Sequence, residues 1–128
     1  MKILVAEDDL ASSAFLVQFL TQYGEVDRAV DGLEALEAYS LCRQELRPYD
    51  IIFLDIMMPK VDGVTVLKAI RNYETKKRVK PENKTKVVLT SALTETDYVK
   101  KAKEVGYEGC LSKPLDTQEV HNIMQQLI

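Results

Sequence analysis

Three stretches of this chain are solidly apolar: Ile3-Leu4-Val5-Ala6, Ile51-Ile52-Phe53-Leu54 and Val87-Val88-Leu89. None alternates with polar residues. Successive side chains on a strand point to opposite faces, so such a run needs cover on both sides, which describes central strands of a parallel sheet. Two weaker segments, Val26 to Val30 and Cys110-Leu111, raise the expected strands to five, the former as an edge.

The segments between the strands have helical period. Gly63, Val66, Leu67 and Ile70 stand at i, i+3, i+4 and i+7, as do Val120, Ile123, Met124 and Leu127, so each set forms one apolar stripe. Phe15 with Phe19 and Leu16 with Leu20 do the same for the first helix, which Gly24 is expected to close. Asp31-Gly-Leu-Glu34 and Asp116-Thr-Gln-Glu119 resemble capping boxes, and Thr94-Glu-Thr-Asp97 is a looser version. Alternating strands and helices over 128 residues predict one α/β domain, 1–128, with a doubly wound five-stranded parallel sheet and five flanking helices. Lys76 to Lys86, KKRVKPENKTK, interrupts the pattern and reads as a long basic loop, chiefly a solvated connection, with a partner or nucleic-acid contact as the lesser reading.

Charge and cysteine content narrow the function classes. A net charge of -3 argues against nucleic acid as a direct partner. Three acids, Glu7, Asp8 and Asp9, arrive before any apolar stretch long enough for a leader or a membrane span, so a cytoplasmic protein without membrane contact is expected. Cys42 and Cys110 match no zinc or redox spacing, and both read as inert thiols, Cys110 as a small buried residue.

In an open α/β sheet, ligands bind outside the carboxyl ends of the strands. The first strand ends in Glu7-Asp8-Asp9, the third in Asp55, the fourth in Thr90-Ser91, and the fifth leads through Ser112 to Lys113-Pro114. Carboxylates gathered on one rim repel, and a hard divalent cation with oxygen ligands relieves that repulsion. Magnesium is the expected ion, because the only histidine, His121, sits on the last helix, where a solvent-facing role suits it better than one in the site. Magnesium completes its shell with water and phosphate oxygens, so the rim suits a phosphoryl group. Asp55 is then the carboxylate nucleophile, with Glu7 and Asp8 paired as metal ligands, Lys113 neutralising one phosphoryl oxygen and the Thr90 hydroxyl donating to another.

These residues resemble the receiver domains of two-component response regulators, the CheY-like superfamily, over essentially the whole chain. ILVAEDD is similar to the family's first strand and acidic pair, DIIFLDIMMPKVDG to its phosphorylation strand and loop, VVLTSA and GCLSKP to its Thr/Ser and Lys segments. The resemblance implies a flavodoxin-like sheet in the order 2-1-3-4-5. It implies magnesium held directly by Asp8, Asp55 and the Met57 carbonyl, and a cis Lys113-Pro114 peptide. It also implies a histidine kinase or histidine phosphotransfer protein as donor, with the receiver catalysing transfer to itself and loss of the phosphoryl group. The output would pass through the surface of the fourth helix, fifth strand and fifth helix to a downstream protein or a fused output domain. A dimer formed on phosphorylation would fit the same family. Met57 and Ala92 border the expected path of hydrolytic water. Two departures stand out: Cys110 lies where the family usually has an aromatic residue, and the loop after Asn72 is longer than usual.

Each signal has a plainer reading taken alone. Asp9 suits a helix N-cap, an acid after a strand suits a turn, and Lys113 suits a solvated loop. Their joint placement at four strand ends favours the site. A haloacid-dehalogenase-type phosphatase would want a second acid two residues after Asp55, where this chain has Met57. A flavodoxin-like electron carrier would meet repulsion between its cofactor phosphate and Glu7-Asp8-Asp9, and no GxxxxGK[ST] loop supports nucleotide hydrolysis. A receiver that only scaffolds is the remaining alternative. No linker or output segment is evident, which suits a stand-alone or an excised receiver.

Overall fold

The computed structural model describes residues 1–92 and 96–128. The element order is β1 (Lys2–Ala6), α1 (Leu10–Leu20), β2 (Glu25–Ala29), α2 (Gly32–Gln44), β3 (Ile51–Asp55), α3 (Gly63–Lys76), a 3-10 turn (Pro81–Asn83), β4 (Lys86–Ser91), α4 (Thr96–Val105), β5 (Gly109–Ser112) and α5 (Thr117–Leu127). The strands form one parallel sheet in the order β2-β1-β3-β4-β5, as the pattern predicts. β2, with Glu25, Asp27 and Arg28, takes an edge.

The solid apolar runs are explained by two cores, one on each face. Leu4, Ile52, Leu54, Val87 and Leu89 pack against α2, α3 and α4 through residues such as Tyr39, Leu67, Ile70 and Ala102. Ile3, Val5, Ile51, Phe53 and Val88 point the other way, onto Leu16 and Leu20 of α1 and Val120 and Met124 of α5. A buried side chain of this size contributes roughly 1.5–3 kcal/mol relative to exposure, so β1, β3 and β4 anchor both layers. The predicted stripes on α3 and α5 are the inward faces.

The caps are local chemistry. Asp9, Asp31, Asp62 and Asp116 each accept a backbone N–H from the first turn of the helix that follows. Glu34 completes its box by accepting the Val30 N–H at 3.0 Å. The start signal at Thr94-Glu-Thr-Asp97 falls partly outside the described residues. Gly24 does not cap α1, which ends at Leu20 with Thr21 as its cap. Gly24 instead lies against Met1, where a Cβ would run into the Met1 carbonyl that accepts the Glu25 N–H. The basic segment is a connection between α3 and β4, with the Pro81–Asn83 turn at its centre. No helix among the described residues is long and apolar enough to cross a membrane.

Candidate functional site

Parallel pairing levels the strand ends, with Asp55 beside Thr90 and Ser91 beside Ser112. Backbone bonds extend that register past the strands: Glu7 N–H donates to the Ala29 carbonyl, Ile56 N–H to Thr90 and Lys113 N–H to Ser91. The sheet therefore delivers Glu7, Asp8, Asp55, Thr90 and Lys113 to one rim, as the sequence predicts. Each of Glu7, Asp8 and Asp55 offers an oxygen within 4.8 Å of the others. Glu7 and Asp55 are buried, whereas Asp8 is exposed.

Lys113 bridges the two buried acids, its Nζ lying 3.0 Å from Glu7 Oε1 and 3.2 Å from Asp55 Oδ2. The Thr90 hydroxyl donates to Glu7 Oε2 at 3.4 Å, and the Asp9 N–H to Glu7 Oε1 at 3.1 Å. One ammonium against three carboxylates leaves the rim short of positive charge. Burial, then the charge of Glu7, pushes the Asp55 carboxyl up to about 8, and Lys113 only partly offsets them. Burial works against the Lys113 charge too, but its hydrogen bond to Glu7 and the nearby carboxylates outweigh burial and hold its pKa above the ordinary lysine value.

The donor set fits a hard divalent cation: carboxylate oxygens gathered from two strand ends, with no imidazole or thiolate among them. Lys113–Pro114 is cis. Met57 has an exposed side chain, and its N–H lies 3.4 Å from Asp55 Oδ1. His121 does not join the site; it stays exposed on α5, 3.4 Å from the Tyr23 hydroxyl. Cys110 is exposed, not buried, because β5 is an edge strand and Cys110 alternates with the buried Leu111, lining a surface hollow with Val99 and Tyr107; its sulfur lies 4.0 Å from the Ser91 hydroxyl.

Two supports went unseen in the sequence. Gly63 donates its N–H to the Ile56 carbonyl at 2.7 Å, and a Cβ there would strike the Asp55 carbonyl, so the loop after Asp55 is folded tightly back on the strand. Lys60, at a left-handed φ of 70°, reaches Asp31 at 3.4 Å and ties that loop to the start of α2, where Gly32 leaves room for Val61. Glycines opening helices at both contacts were the available signal.

The family model for the response regulator receiver domain matches residues 3–125. The chain belongs to this family. As a receiver domain it is a phosphorelay signalling module of two-component systems. It is 35% identical to the chemotaxis protein CheY of Treponema pallidum over 93% of this chain and 76% of that protein. It is 32% identical to the CpxR-homolog transcriptional regulatory protein of Haemophilus influenzae, over 93% of this chain but only 46% of that protein. Among solved structures, the receiver overlays the CheX-CheY-BeF3-Mg complex of Borrelia burgdorferi with a TM-score of 0.81 at 29% identity, covering 99% of this chain and 88% of that one.

Proposed function

We propose that residues 1–128 form one receiver domain that accepts a phosphoryl group on Asp55 in a magnesium-dependent transfer and thereby changes which partners it binds. The observation that carries this is the buried Asp55 carboxylate, 3.2 Å from the Lys113 ammonium and clustered with Glu7 and Asp8. An Asp55 oxygen attacks the phosphorus of a phosphohistidine on a histidine kinase or histidine phosphotransfer protein. The P–N bond breaks, its electron pair stays with the imidazole, and that ring takes up a proton.

Asp55 must be ionised to attack, which its raised pKa opposes. Asp8, Asp55 and the Met57 carbonyl, with Glu7 beside them, would hold magnesium; bound there, it supplies positive charge that favours the ionised acid and balances the phosphoryl oxygens. Magnesium with BeF3 in the Borrelia CheY complex supports this choice of ion. Lys113 then turns from Glu7 and Asp55 to a phosphoryl oxygen, and the Thr90 hydroxyl leaves Glu7 for another. Thr90 lies one residue before the end of β4, so its movement biases the surface of α4, β5 and α5. Cys110 has no ring to follow that movement, so the coupling runs through the end of β4 itself. The output is a downstream protein or a fused output domain, without direct nucleic-acid contact, and a cytoplasmic setting suits both donor and target. Dimerisation on phosphorylation would use the same surface.

The test is the amide spectrum of the isotope-labelled chain with magnesium, before and after acetyl phosphate. Shifts at the rim that spread to 97–112 and to α5 are expected. Shifts confined to the rim would remove the switching part of the proposal.

A further inference from the structure

The opposite end of the sheet carries a second concave feature that the phosphorylation site does not use. α2 and α3 end side by side there, and both end the same way. The Leu46 N–H donates to Arg43 and the Arg47 N–H to Cys42; the Arg78 N–H donates to Thr75 and the Val79 N–H to Glu74. Each is a helix terminus of the type that places a left-handed residue just past the cap, a position glycine normally fills. Here it is filled by Leu46, with φ 58°, and Arg78, with φ 52°.

Both of these strained residues line one cavity of about 460 Å³, together with Arg43, Tyr73, Val79, Lys80 and Lys84. Leu46 is 86% exposed, the most exposed large apolar side chain described. The charge is lopsided as well. Six of the eleven residues from Lys76 to Lys86 are cationic against a single acid, in a chain whose net charge is -3. Arg43 is occupied, bonding the Tyr39 hydroxyl at 3.1 Å and approaching Glu74 at 3.6 Å. Among the described residues, Arg78, Lys80 and Lys84 make no ion pair.

We propose that this cavity is a docking site for a short acidic peptide segment of a partner protein, anchored by an apolar side chain against Leu46, Tyr73 and Val79. Strained backbone persists where the surrounding structure holds it and often marks a functional surface, and here the two helix ends hold one apolar and one cationic side chain at the same hollow. Unpaired cations around an apolar floor complement a segment that alternates acids with leucine-like residues. A nucleic-acid backbone fits worse: it carries a charge at every phosphate and meets Asp50 and Glu82 in the lining, whereas a peptide can set its leucine-like residues opposite those two acids. The site stands at the far end of the strands from Asp55, so a partner could occupy it whatever the phosphorylation state.

The experiment follows amide shifts of the isotope-labelled full chain titrated with a short synthetic peptide of repeating Glu-Asp-Leu. Saturable shifts at 43–50 and 78–84 are expected, with Asp55 and Lys113 unmoved. Arg78→Gln, Lys80→Gln and Lys84→Gln combined should weaken binding about tenfold, since three exposed ion pairs are lost. Leu46→Gly should weaken it while keeping or raising thermal stability, which separates loss of the anchor from loss of the fold. The proposal is overturned by an absence of saturable shifts at those residues. Equal binding of a leucine-free polyglutamate, or tighter binding of a single-stranded oligonucleotide, overturns it too, as either marks a general anion surface.

Discussion

The two ends of the sheet handle buried charge in opposite ways. At the amino ends of the strands, Glu74 is 1% exposed yet fully answered: Arg71 meets it at 2.8 Å and the Thr85 N–H at 2.8 Å. Arg71 also reaches Glu108 at 2.7 Å and the carbonyls of Thr85 and Gly106. Burial opposes the Arg71 charge, but its acidic partners more than offset it and keep its pKa raised. At the carboxyl ends, three carboxylates gather beside one lysine that pairs with two of them, and Asp55 is driven up to about 8. A network meant only to hold the fold closes on itself, whereas a site meant to receive something is left short of what it receives.

Breaking the closed end should have the larger effect. Glu74→Ala leaves Arg71 and the Thr85 N–H without their buried acceptor and should cost about 3 kcal/mol in urea unfolding. Uptake of phosphate by the folded fraction should persist, because no residue of the rim touches Glu74. At the open end the sign reverses. The folded state holds a proton on Asp55 that the unfolded chain, with its ordinary value of 3.8, releases, so without magnesium stability falls as pH climbs from about 4 to about 8. Asp55→Asn removes that penalty and should stabilise the chelator-treated protein by on the order of 2 kcal/mol at about pH 8. The gain should shrink towards about pH 4 and vanish below it; a gain independent of pH would contradict the assigned cause. The smallest effect concerns strain at the outer edge of the closed end. Leu46→Gly relieves a left-handed leucine and should raise stability by about 1 kcal/mol in thermal unfolding.

The same contrast explains what could be read in the sequence. The three central strands and the rim were legible, because two-sided burial demands solid apolar runs and parallel pairing sends whatever follows them to one edge, whereas β2 and β5 showed only as weaker segments. Glu7, Asp8, Asp55, Thr90 and Lys113 come together for that reason. The closed end was not legible. Arg71 and Glu74 stand only three residues apart on α3, but Thr85 and Glu108 come from later loops, and in segments rich in charge all four look like solvated residues until the chain brings them together. Cys110 was misread for a related reason: a short apolar pair in a strand does not say which residue of the pair faces outwards, and Leu111 is the buried one. Gly24 was misread because a glycine after a helix serves a neighbouring strand as readily as a cap.

The most direct test of the open end is intact mass after incubation with acetyl phosphate and magnesium, for the natural chain, for Asp55→Asn and for a chelator-treated control. One added phosphoryl mass that requires magnesium and is absent from Asp55→Asn is the expected result. A folded natural chain that gains no mass, or a substituted chain that gains it equally, would contradict Asp55 as the acceptor.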